Sequence, residues 1–177
     1  MEETVSPWKA NLANGLILGL VGVVYSLLMY FFDLTFNKSL GYAFMLIQMA
    51  LIFFLLKSYR DNFMHGQITF GQSFGAGVII CLYYAIIMAI FSYILYAVID
   101  PGLVKKSLAV AEEAMEKKGA PQAAIDTGMA FTAKIMKPPV MAIISIFGNM
   151  FWGAIISLLV SIFVKKEGNP LLDMPEN

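Results

Sequence analysis

The sequence is short of the residues that chemistry in water relies on. It has one histidine and one cysteine, and charged residues fill 14% of its 177 positions, where a soluble domain is about a quarter charged. The lone cysteine, Cys81, excludes an internal disulfide, and no second ligating side chain stands beside it at metal spacing. Twelve Lys and Arg balance twelve Asp and Glu. Without a basic surplus, nucleic acid is not an expected partner.

Apolar residues take up the room. They make up 59% of the chain, and the mean hydropathy is +0.75. One soluble core of this size cannot hide that much apolar surface, so the expected surroundings are a lipid bilayer. Four stretches carry no charge at all: 12–32, 40–56, 74–99 and 140–164. A helix rises about 1.5 Å per residue and must cross about 30 Å of hydrocarbon. The second stretch reaches only about 25 Å on that rise, so it must borrow Phe36, Asn37 and Lys57 at its ends. The first stretch reads as a retained helix rather than a cleaved leader. Glu2 and Glu3 spoil a positive start, and Phe31-Phe32-Asp33 follows where small residues would mark cleavage.

The connections differ in kind. Asp33–Ser39 is a tight turn, and Lys57–Ser73 reads as a medium loop. Residues 100–139 form the one long polar insert, bounded by Asp100-Pro101-Gly102 and Lys137-Pro138-Pro139. Within it, Val104–Lys118 and Gln122–Met136 show helical spacing of apolar residues, separated by Gly119-Ala120-Pro121. Two short amphipathic helices are expected, either on the membrane surface or as a solvated hairpin.

The fold class is therefore all-α: an integral membrane four-helix bundle, one membrane domain over 1–177, with a short amphipathic helical insert between the third and fourth spans. Both termini lie on one side. Counting Lys and Arg leaves the sidedness open. Five lie on the terminal side and seven on the other, although the clusters Lys57/Arg60 and Lys165-Lys166 hug helix ends and favour termini inside.

The run KSYRDNFMHGQITFGQSF over Lys57–Phe74, then Ile99-Asp100-Pro101, the helical insert and GAIISLLVSIFVKK over Gly153–Lys166 together resemble a bacterial membrane family, domain of unknown function 4199. The resemblance implies four crossings of the bacterial inner membrane, cytoplasmic termini and an extracytoplasmic insert. It supplies no catalytic residues.

An ionisable residue inside a span is a functional hypothesis by default, and none occurs here. No catalytic, cofactor-binding or metal-ligating residue is expected, and the protein is not expected to be an enzyme. Asp61 with His65, four residues apart, is the only acid–base pair worth testing. Gly66–Gly71 has phosphate-loop spacing, yet Gln72 stands where the Lys belongs. The deep polar residues are the amides Gln48 and Asn149, about 12 and 14 Å into helices of the same direction. They are expected to face the interior and to bond to each other or to a carbonyl.

In lipid, small residues drive helix association by letting backbones approach. Gly15, Gly19, Gly22 and Ser26 mark one face of the first helix. Asn149, Gly153, Ser157 and Ser161 mark one face of the fourth. These helices are expected to meet, or to pair two copies of the chain. Tyr83 and Tyr84 lie at mid-depth, where a hydroxyl needs a partner. Trp8, Tyr30, Tyr42 and Tyr59 fit interfacial belts. The expected function is that of a small accessory or scaffold protein with a membrane-protein partner or self-association. The alternative is a small, possibly oligomeric transporter or channel.

Overall fold

The structure is a computed structural model that describes residues 6–167. Among them are six α-helices and one π-helical segment: α1 (Pro7–Phe31), α2 (Lys38–Phe63), α3 (Phe70–Ile94), the π segment Leu95–Ile99, α4 (Gly102–Glu116), α5 (Gln122–Ile135) and α6 (Pro138–Val164). Four are long and apolar enough to cross a membrane: α1, α2, α3 with its π extension, and α6. Their outward faces carry large apolar side chains, with Phe31 and Phe163 each 75% exposed. Hydrocarbon is the solvent such a surface needs.

α2 is the main departure from the expected boundaries. It continues through Lys57, Arg60 and Asp61 to Phe63, so the connection to α3 shrinks to residues 64–69. Nothing breaks the helix before His65 and Gly66, which both take positive φ, 52° and 78°. The emerging turn is also held in place. Arg60 donates to the Val164 carbonyl at 3.1 Å, and Tyr59 stacks on Phe63 at 5.9 Å. Tyr59 is therefore a bundle residue, only 4% exposed, and no part of an interfacial belt. α3 then starts with a capping box in which Thr69 and Gln72 satisfy each other's backbone N–H groups. That accounts for Gln72 at the position where a phosphate loop would carry Lys.

The spanning helices form a four-cornered bundle with α1 and α6 at opposite corners and α3 between them. α3 packs extensively on both, whereas α2 touches its neighbours more sparsely. The expected contact between the first and fourth helices is therefore corrected: each small-residue face packs on α3 instead.

The two seams work differently. The α1 glycines receive bulky side chains from α3. Gly15 faces Tyr83, Gly19 faces Ile87, and Gly22 faces Tyr84 and Met88. On the other side, small residues meet small residues. A Cβ on Gly77 would lie 2.7 Å from Ser157, and one on Gly153 would lie 2.6 Å from the Cys81 Cβ. Four-residue spacing extends these contacts into two rows. One is Ser73, Gly77, Cys81, Ala85 and Ala89 on α3, all buried. The other runs through Gly153, Ser157 and Ser161 on α6, also buried.

α4 and α5 pack on each other as a hairpin, with Met115 against Gly128. At the opposite membrane face, residues Ile68 and Lys166 exchange both backbone hydrogen bonds at 2.9 Å, which ties the α2–α3 connection to the exit of α6.

Candidate functional site

Where α1, α2 and α3 diverge, on the side of the short 32–37 turn, lies a partly open cavity of about 270 Å³. Its existence follows from local chemistry. Asn37 caps α2, its side-chain oxygen accepting from the Ser39 and Leu40 N–H groups at 3.0 and 3.3 Å. The Tyr25 hydroxyl donates to the Leu40 carbonyl at 2.7 Å, and its ring stacks on Phe44 at 4.6 Å. These bulky contacts hold the start of α2 off α3. Gly22 lets the Tyr84 ring lie against α1, where any Cβ would sit 2.8 Å from it.

The wall combines apolar surface from Met29, Phe44, Met88 and Phe91 with hydroxyls from Ser26, Thr35, Tyr84, Ser92 and Tyr96. None of these five hydroxyls has a hydrogen-bond partner among the described residues. Elsewhere in the chain, Ser107, Thr127, Thr132 and Ser145 all bond back to a carbonyl of their own helix. Tyr84 is the most enclosed of the five, at 4% exposure. From Tyr84 to Tyr96 the cavity extends about 18 Å along α3, from mid-bundle to the membrane face. Among the described residues, no Asp, Glu, Lys, Arg or His lines it.

The π segment forms part of this wall through Leu95 and Tyr96. Such segments are rare and gather at functional sites, because an extra residue re-aims the side chains that follow. Apolar spacing carries no signal for it, and neither the π segment nor the cavity was expected from the sequence. The hydroxyls at Ser26, Tyr84, Ser92 and Tyr96 were visible, but only the divergence of α2 brings them together.

The structure distributes the other expected residues as follows. Gly15, Gly19, Gly22, Gly153 and Ser157 lie in the two seams around α3, and Ser26 lines the cavity. Gln48 is buried, Asn149 is half-buried, and no hydrogen bond joins them among the described residues. Asn149 continues the α6 row that packs on α3, while Gln48 lies on α2, the most loosely packed span. The shared depth is real, but the two faces point to different neighbours. Tyr83 finds the partner a mid-depth phenol needs by donating to the Trp8 carbonyl at 3.3 Å. Asp61 pairs with Arg60 at 2.8 Å rather than with His65.

On the hairpin, the ammonium of Lys117 sits 2.6 Å from Glu113 and holds its carboxyl below the usual carboxylate range. Lys106 reaches Asp33 at 3.3 Å, and Tyr30 reaches Asp100 at 3.5 Å. Among the described residues, no group of three or more His, Cys, Asp or Glu is placed to hold a metal ion.

Spanning helices, small-residue seams and an extramembrane hairpin define an all-helical, multi-pass membrane protein. Within that class, the chain belongs to the family described as Protein of unknown function (DUF4199), whose model matches residues 13–166. No curated protein and no solved structure matches it.

Proposed function

We propose that the chain is a non-enzymatic accessory or scaffold protein of the bacterial inner membrane, with cytoplasmic termini and the α4–α5 hairpin on the outer side. The observation that carries this reading is how the hairpin is attached. α4 joins the bundle through the buried Leu103 and the exposed Lys106–Asp33 pair. α5 packs on α4 and makes at most marginal contact with the spanning helices. Phe131 on α5 is left 65% exposed. A hairpin held along one helix presents the other to a membrane-protein partner or a second copy.

The non-enzymatic part of the reading draws support from the placement of charge. The ionisable residues lie toward the two membrane faces, and the one acid–base pair in reach is not joined. A channel or carrier needs a polar path across the whole bundle. The hydroxyl-lined cavity covers one half, and the fully buried Leu18, Ile52, Leu56 and Ile80 pack the other. That packing favours the accessory reading.

The test is a photo-crosslinking amino acid at position 131 in intact cells. A discrete adduct with another membrane protein, or with a second copy, is expected. A chain that forms no adduct from position 131 or from neighbouring exposed positions of α5, under several growth conditions, overturns the reading. An impermeant maleimide on Lys118→Cys is expected to label intact cells, and labelling only after lysis reverses the sidedness.

A further inference from the structure

We propose that the cavity between α1, α2 and α3 is a binding site for an uncharged lipid whose polar end carries carbonyl or hydroxyl oxygens. Four observations converge on that chemistry. First, five hydroxyls line the cavity without partners among the described residues, and one of them, Tyr84, is more than nine-tenths buried. These hydroxyls open onto the cavity, and an oxygen-bearing head group would find a hydrogen-bond partner among them. Second, no charged side chain among the described residues lines the wall. A phosphate, carboxylate or ammonium would give up its hydration there and gain no counter-charge. Third, apart from the Asn37 amide, which caps α2, the remaining wall is thioether, aromatic and aliphatic, and most of it belongs to membrane-spanning helices, so the ligand's body is apolar. Fourth, the size fits a head group. An engineered apolar cavity of about 150 Å³ accepts one benzene ring. At about 270 Å³ this cavity holds one ring or a glycerol-sized head, while the rest of a tail continues along the helices.

Two membrane molecules share that chemistry: a monoacylglycerol and an isoprenoid quinone. The structure supplies a built-in control. Gly41 lines the cavity, and a Cβ there would meet nothing within 4 Å. A bulky side chain at this position has room beside the cavity without disturbing a packed seam.

The full chain is reconstituted in phosphatidylcholine nanodiscs and titrated with monoolein, with a naphthoquinone bearing one isoprene unit, and with oleate. Binding is read by native mass spectrometry and by the shift in unfolding temperature. At least one neutral probe is expected to bind with a stoichiometry of one, and oleate at neutral pH much more weakly. Whichever neutral probe binds names the source. Gly41→Phe is expected to abolish binding while helicity and elution stay as in the parent. The double variant Tyr84→Phe/Ser92→Ala is expected to weaken it about tenfold. The proposal is overturned if neither neutral probe binds, if oleate binds as well as they do, or if binding survives both variants. Should Gly41→Phe fail to fold, the double variant alone decides. These outcomes do not touch the hairpin, so the accessory reading stands or falls separately.

Discussion

The α3–α6 seam and the α1–α2–α3 corner share one solvent, one bundle and much the same composition, yet one is closed and the other is hollow. Lipid tails are as apolar as Leu, so apolar character alone gives helices little reason to associate. What separates the two regions is side-chain size at the contact. Along the seam, Gly77 faces Ser157 and Cys81 faces Gly153, so backbones approach until a single added carbon would collide. At the corner, Tyr25, Phe44 and Tyr84 stand between the helices, and the gap they prop open is lined with hydroxyls.

The sharpest way to break this contrast is to put a carbon where the seam has none. Gly153→Val is expected to lower stability by about 1–3 kcal/mol, the usual range for overpacking. Denaturant titration in mixed micelles would measure it. Gly75→Ala, where a Cβ meets nothing within 4 Å, is expected to be neutral or to gain up to about 1 kcal/mol from helix propensity. Equal losses at both glycines would mean that approach distance is not what holds α3 and α6 together.

The seam also contains an imperfection. The Ser73 and Ser161 hydroxyls are buried without a partner among the described residues. Ser161→Ala is expected to raise stability by about 1 kcal/mol by removing an unsatisfied group, and the same titration reads it. A loss of similar size would show that this hydroxyl is bonded in the membrane.

At the corner, two tyrosines should part company. Tyr25→Phe removes a 2.7 Å hydrogen bond to the Leu40 carbonyl and is expected to cost about 0.5–1.5 kcal/mol. Tyr84→Phe removes a hydroxyl with no partner among the described residues and is expected to leave the unfolding of the ligand-free protein unchanged within error. A stability loss at Tyr84 matching that at Tyr25 would make both hydroxyls structural.

The smallest effect lies outside the membrane. The pair with Lys117 holds the Glu113 carboxyl below its unfolded value. Its stabilising contribution is present above the ordinary carboxylate range and fades as pH falls through the lowered value. Lys117→Ala is expected to return the Glu113 titration toward the ordinary range, as followed by carboxyl carbon shifts in NMR. Both side chains are exposed, so the unfolding of the bundle should not respond.

The sequence made the spans and the hairpin legible because hydrocarbon thickness and charge exclusion act on each segment alone. It also marked the α6 row and the α1 glycines, since small residues at three- and four-residue spacing share a face. It could not say which helix each face would meet. Of the partner row on α3, only the small residues Ser73 and Gly77 stood out, because Cys81, Ala85 and Ala89 read as ordinary apolar residues. Four-residue spacing from Ser73 was the signal available. The helical continuation of α2 past Lys57 was hidden by counting charges as loop, although Arg60 is bonded back to α6. The cavity was illegible for a different reason: a hollow depends on how far helices diverge, and no local pattern encodes that.

The π segment at the end of α3 has a geometric consequence for everything downstream. One residue turns a helix by about 100°, and a π turn absorbs one residue more than an α turn would. If Leu95–Ile99 wound instead as regular α-helix with no residue removed, the one left over would swing the Asp100 corner by about 100°, more than a quarter of a revolution. Lys106 would then leave Asp33, and α4 would depart on another bearing. The compass direction of the whole outer hairpin is thus written in five residues at the rim of the bundle.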